Sequence, residues 1–224
     1  MAITLTRGSA PHAGQPVLSA GASPETARAA VILVHGRGAG ADDILSLSAH
    51  LAESGDVAFL APQARQAVWY PERFLVPRAR NEPDLSAALA VIDGLVADLE
   101  AAGVAAENVV VAGFSQGACL SLEWAARSGR RLGGVVGFSG GLIGTDEEIE
   151  TRSGSLSGTP VFLGCSDVDF HIPVERVHAT ARILAGLDAV VTERIYPGLG
   201  HTIVMDEVEA ARRIVEAARK GVNT

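Results

Sequence analysis

Short runs of unbroken apolar residues alternate along this chain with longer segments whose apolar positions recur every three to four residues. Val31-Ile-Leu-Val34 contains no polar position, the pattern of a strand buried on both faces. Similar runs at 56–60, 108–112, 134–138 and 160–164 predict further strands, and Ala189-Val-Val-Thr-Glu-Arg-Ile195 reads as a final one. Between them, stripes of helical period predict helices. One carries Ile44, Leu47 and Leu51, with Asp42 expected as its cap. A longer one begins near Asp84 and carries Leu85, Ala88, Leu89, Ile92, Val96 and Leu99. Others carry Cys119, Leu122, Ala125 and Ala126, then Val174, Val177, Ala181 and Leu184 behind Pro173, and a last one runs from about 206 to 220. Thr145 and Glu148 have the spacing of a capping box. Strand and helix in alternation argue for an α/β fold, with a mostly parallel central sheet flanked by helices on both faces. At 224 residues the chain reads as one domain, 1–224, with residues 1–28 expected as antiparallel edge strands.

The alternation breaks between Pro62 and Pro83. This stretch holds four prolines and the cluster Trp69-Tyr70-Pro71 with Phe74. Residues 62–83 therefore read as a long loop on the substrate side, since ligands bind outside the carboxyl edge of a parallel sheet.

Gly113-Phe-Ser115-Gln-Gly117 lies where an apolar run meets a helical stripe that ends at Gly129. A strand turning sharply into a helix at G-x-S-x-G holds its serine on a strained elbow with the hydroxyl exposed. Gly137-Phe-Ser139-Gly-Gly141 matches the same pattern, but a Gly-rich segment without helical period follows it. Ser115 is the expected nucleophile, and Ser139 reads as a strand end beside the site. A serine hydroxyl needs a general base, usually a histidine oriented by a carboxylate. In elbow-type folds these partners follow the serine in the order acid, then histidine. Gly198-Leu-Gly-His201 stands between the last strand and the last helix, so His201 is the expected base. Asp167 and Asp169 both leave the strand at 160–164, and spacing does not choose between them. One oxyanion donor is expected from the Gln116 amide and another from the loop His35-Gly-Arg-Gly38.

In these motifs the chain resembles the phospholipase/carboxylesterase family of α/β hydrolases, which includes acyl-protein thioesterases and small bacterial carboxylesterases. The likeness runs from Val31 to the C-terminus and rests on His35-Gly-Arg-Gly, Gly113-Phe-Ser-Gln-Gly, Asp169-Phe-His-Ile-Pro173 and Gly-x-Gly-His201. It implies an α/β-hydrolase fold, Asp169 as the acid, and the Arg37 and Gln116 amides as the oxyanion hole. It implies a serine hydrolase that cleaves carboxylic esters, and thioesters as an extension, through an acyl-enzyme. No metal or organic cofactor enters such a mechanism. The turn Gly-Cys-Ser-Asp-Val-Asp is longer than that of the thioesterases, and Phe170 stands where they commonly have proline. The resemblance is therefore to the small bacterial branch, and activity on acylated proteins does not follow from it.

Aromatic residues number only ten, yet Trp69, Tyr70 and Phe170 fall at predicted loop positions. With His171 they are the expected substrate-binding residues, while Phe114, Phe138 and Trp124 are expected to fill the core. The net charge of −8 argues against nucleic acid as a partner. The two cysteines fall in apolar runs and read as buried thiols, and no run has the length of a membrane span. The N-terminus lacks the basic-then-apolar pattern of a signal peptide, so a cytoplasmic location is expected. The sequence leaves a homodimer open. The same three side chains serve amide cleavage or perhydrolysis, which the motifs do not distinguish from ester hydrolysis. A non-catalytic small-molecule binder on this fold is expected to lack one of the three, and here none is missing.

Overall fold

The structure is a computed structural model, described for residues 3–4 and 10–221. Among the described residues eight strands form one sheet: β1 (Ile3–Thr4), β2 (Pro16–Gly21), β3 (Ala29–Val34), β4 (Val57–Pro62), β5 (Val109–Phe114), β6 (Gly134–Phe138), β7 (Pro160–Ser166) and β8 (Val190–Tyr196). Their order is β1-β2-β4-β3-β5-β6-β7-β8. From β4 to β8 every neighbouring pair is parallel, and only the pairings of β2 with β1 and with β4 are antiparallel. The described part of the N-terminal segment supplies these two antiparallel pairings at one edge of the sheet. The remainder of that segment, residues 1–2 and 5–9, lies outside the described residues.

Strand periodicity divides the core in two. Ala30, Ile32 and Val34 of β3 face α3 (Asp84–Ala101), α4 (Gln116–Ser128) and α6 (Val174–Gly186). Val31 and Leu33 face the opposite layer, formed by α1 (Ala41–Leu45), α2 (Ser48–Leu51) and α7 (Met205–Lys220). Both faces are covered, which is why β3 tolerates no polar position. A short α5 (Asp146–Glu150) starts at the Thr145 capping box: the Glu148 amide donates to Thr145 Oγ1 at 3.3 Å and the Thr145 amide to Glu148 Oε2 at 2.9 Å. Asp42 differs from its expected role. Gly40 precedes α1, and Asp42 sits inside the first turn, where its charge complements the helix dipole instead of capping.

Two glycines let β5 turn into α4. A Cβ at Gly113 would meet the Gly117 backbone at 2.4 Å, and a Cβ at Gly117 would meet the Val34 carbonyl oxygen of β3 at 2.1 Å. The helix therefore starts against the central strand with no room for a side chain. Gly117→Ala is expected to lower stability by about 3 kcal/mol or more, because the colliding atom is backbone of a buried strand. Gly94, mid-helix in α3, has open space around its Cβ position, so Gly94→Ala is expected to add about 0.5–1 kcal/mol. Urea unfolding of both variants checks this pair of opposite signs.

Candidate active site

Ser115 sits between β5 and α4 at φ 55°, ψ −117°, a conformation outside the ordinary regions for a side-chain-bearing residue. Its amide donates to the Phe138 carbonyl at 2.9 Å, and its carbonyl accepts from the Cys119 amide at 3.0 Å. The strained turn is thus pinned to β6 on one side and to the first turn of α4 on the other. Its hydroxyl lies 2.8 Å from His201 Nε2. His201 Nδ1 lies 2.6 Å from Asp169 Oδ2. The three residues come from the ends of β5, β7 and β8, brought together because those strands are parallel and end at one edge.

The two aspartates of the acid turn have separate tasks. Asp169 is buried, and its second oxygen, Oδ1, accepts the amides of His171 at 2.8 Å and Ile172 at 3.1 Å. Burial by itself drives this carboxyl upward. The hydrogen bond to His201 and the two amides outweigh it, and Asp169 lies below the usual carboxylate range. Asp167 is exposed and accepts the Gly198 amide at 2.8 Å. Ser166 Oγ donates to the Leu199 carbonyl. These contacts stitch the acid turn to the turn that carries His201. The imidazole is further held between Phe114 and His171, with ring centroids 4.8 Å away on either contact.

The cavity beside Ser115 has a volume of about 510 Å³. Tyr70, Phe74, Phe114, Cys119 and Ile172 form its apolar wall, and Arg37, Asp43, Glu72, Arg73 and His171 its polar rim. Of the expected substrate-binding residues, Tyr70 and His171 reach the cavity. Phe170 is 76% exposed and outside the lining. It stands on the outer side of the acid turn, because Asp169 and Ile172 take the inward positions. Trp69 is fully buried and also outside the lining. Its indole Nε1 donates to the His35 carbonyl at 2.9 Å, and its ring is flanked by His12 and His35 at centroid distances of 5.3 and 5.0 Å. Trp69 packs the loop instead of touching ligand. Phe114, expected in the core, is half-buried and forms part of the wall, whereas Phe138 and Trp124 are buried. Ser139 shares the positive φ of Ser115, at 52°, but is 1% exposed.

Sequence reasoning missed how the 62–83 segment is fastened. The Gln116 side chain accepts the Trp69 amide at 3.0 Å and donates to the Tyr70 carbonyl at 2.8 Å. The Arg37 guanidinium donates to the carbonyls of Tyr70 at 2.7 Å and Glu72 at 2.9 Å. His12 bridges the Arg65 amide and the Trp69 carbonyl, and His35 bridges the Ala64 amide and the Gly36 carbonyl. Each of these histidines must accept on one ring nitrogen and donate from the other, which only the neutral imidazole can do. Cys119 and Ile172 in the wall and Asp43 at the rim were also missed, although Ile172 lay in the quoted Asp-x-x-Ile-Pro turn.

Among the described residues no group of three His, Cys, Asp or Glu side chains is gathered around a metal-sized space. His178 pairs with Glu193 at 2.6 Å. Both cysteines are free and buried, and burial pushes both thiols to about 12. No helix among the described residues is long and apolar enough to cross a membrane.

The family model for phospholipase/carboxylesterase matches residues 15–218. The chain belongs to this family. A phospholipase/carboxylesterase structure from Dyadobacter fermentans is 40% identical, with a TM-score of 0.86 over 94% of this chain and all of that one. The structure of esterase PE8 is 26% identical, with a TM-score of 0.74 over 91% of this chain and 98% of that one. Acyl-protein thioesterase 1 of Gibberella zeae is 35% identical over 116 residues, which are 50% of this chain and 49% of that protein. The match thus spans about half the length of that curated relative. The sheet order and the two helical layers are those of an α/β hydrolase, as the resemblance implied.

The family's elbow is set against a loop that two histidines from other segments, His12 and His35, hold through neutral rings. Burial depresses both the His12 and the His35 pKa below the ordinary histidine value. The unfolded chain then binds protons more readily than the folded one. The stability these groups contribute is complete above about pH 6.5 and is lost as the pH falls through their folded values. Urea midpoints are expected to drop between about pH 7 and pH 5, and to drop less in His12→Gln. Equal slopes in the two proteins contradict this assignment.

Proposed function

We propose that this protein is a serine hydrolase of carboxylic esters, with thioesters within its chemical reach, and that Ser115, His201 and Asp169 are its catalytic residues. The observation that carries the reading is the continuous hydrogen-bonded line from Asp169 Oδ2 through His201 to Ser115 Oγ, with steps of 2.6 and 2.8 Å. Membership of the phospholipase/carboxylesterase family supports the same reaction class.

Ser115 Oγ attacks the carbonyl carbon while His201 Nε2 takes its proton. The negative charge gathers on the former carbonyl oxygen, which the Arg37 and Gln116 amides stabilise. Removing one such donor typically costs about 2.7–4 kcal/mol of transition-state stabilisation. The tetrahedral intermediate collapses as His201 returns the proton to the leaving oxygen or sulfur. Water then attacks the acyl-enzyme with His201 again as base, and the acid and free Ser115 are released. Asp169 stays ionised throughout: it orients the ring and stabilises the imidazolium. The residues in the cavity wall suit a short or medium acyl group, and about 510 Å³ is within the range of ordinary small-molecule sites.

A fluorophosphonate probe is expected to add its mass to Ser115, and Ser115→Ala to abolish both labelling and turnover of aryl esters. Asp169→Asn is expected to lower kcat by about 10³–10⁴-fold, and Asp167→Asn by far less. Turnover that survives Ser115→Ala, or a larger loss in Asp167→Asn than in Asp169→Asn, contradicts the assignment.

A further inference from the structure

The polar rim of the cavity is not neutral. Arg37 and Arg73 both line it, and among the described residues neither has a carboxylate within ion-pair distance. Arg37 spends its donors on the Tyr70 and Glu72 carbonyls, so its charge is held but uncompensated. Arg73 is exposed and makes one long contact, from its guanidinium to the His171 carbonyl at 3.5 Å. Two carboxylates also border the cavity. Glu72 is offset by Arg80 at 3.0 Å, which leaves Asp43 as the acidic member. A rim with two uncompensated guanidinium groups stands out on a chain of net charge −8, whose overall field repels anions.

The position of Arg73 says which part of a substrate it meets. His171 packs edge-on against His201, and Arg73 reaches the His171 backbone, so its guanidinium stands on the histidine side of Ser115. The leaving group must lie on that side, because His201 Nε2 has to hand it a proton. A guanidinium with free N–H groups is built to take a carboxylate in a two-point contact.

We infer that the enzyme selects esters whose leaving alcohol carries a carboxylate, with Arg73 as the residue that binds it. This rests on the esterase reading and adds the substrate class to it. Arg37 contributes charge from its fixed place on the loop, and Arg73 moves to meet the ligand. The carboxylate does not take part in bond making; it holds the departing half of the ester against His201 during acylation.

The test compares kcat/KM for 4-acetoxybenzoate and its neutral methyl ester, in the wild type, Arg73→Gln, Arg73→Lys and Arg213→Gln. Arg213 is exposed on α7 outside the cavity and controls for overall charge. The charged-to-neutral ratio is expected to fall about tenfold in Arg73→Gln, to fall less in Arg73→Lys, and to stay at the wild-type value in Arg213→Gln. High salt is expected to narrow the wild-type ratio more than that of Arg73→Gln, in which only Arg37 remains. A second pair, the mono-4-nitrophenyl ester of glutaric acid against 4-nitrophenyl butyrate, carries the charge on the acyl side instead, and its ratio is expected not to move with Arg73. A ratio for the first pair that stays within about twofold of wild type in Arg73→Gln overturns the inference. So does an effect confined to the second pair, or one matched by Arg213→Gln. If the wild type turns over neither the charged nor the neutral ester, the esterase reading itself fails and takes this inference with it.

Discussion

The Asp169 carboxylate is committed on both oxygens. Oδ1 is tied to two backbone amides of its own turn, and Oδ2 lies 2.6 Å from His201 Nδ1. Because the carboxyl is buried, any proton it took up would have to displace one of these partners. Its ionised state therefore decides which nitrogen of His201 carries hydrogen, and that in turn decides whether Nε2 can accept from Ser115. Sheet, elbow and acid turn serve this one geometry. Parallel strands bring three chain segments to a common edge, and hydrogen bonds join the turn that carries Asp169 to the turn that carries His201.

A second constraint shapes the cavity. Gln116 is proposed to act through its amide, while its side chain clamps the backbone of Trp69 and Tyr70. Arg37 has the same double character, with its amide proposed for the oxyanion hole and its guanidinium on the loop carbonyls. The two residues that would stabilise the developing charge thus also seat the 62–83 loop that forms the cavity wall. In the proposed reaction, loss of either side chain disturbs the wall and the oxyanion site together.

The centre of the sheet was legible in the sequence because β3 to β7 are buried on both faces, so runs such as Val31-Ile-Leu-Val34 stand out without ambiguity. Ser115 and His201 were legible for a different reason: a strand–turn–helix context restricts what a glycine-flanked serine can be, and chain order restricts its partners. Spacing alone left Asp167 and Asp169 equal, since each can bind turn amides, and their separation became physical only where one was buried and the other exposed. The loop anchors escaped notice altogether. His12, His35 and the Gln116 side chain bind backbone groups more than 20 residues away, and backbone partners leave no mark in a residue pattern. Phe170 shows the converse: an aromatic beside the acid was expected in the cavity, but alternation within a tight turn sends it outward.

The central claim is that Asp169 fixes the hydrogen of His201 on Nδ1 and leaves Nε2 facing Ser115 as an acceptor. Nitrogen NMR of the histidine-labelled protein, with His201→Ala to assign the signal, measures this directly. The neutral form of His201 is predicted to be the Nδ1–H tautomer in the wild type and to lose that preference in Asp169→Asn. A neutral His201 that carries its hydrogen on Nε2 in the wild type contradicts the account.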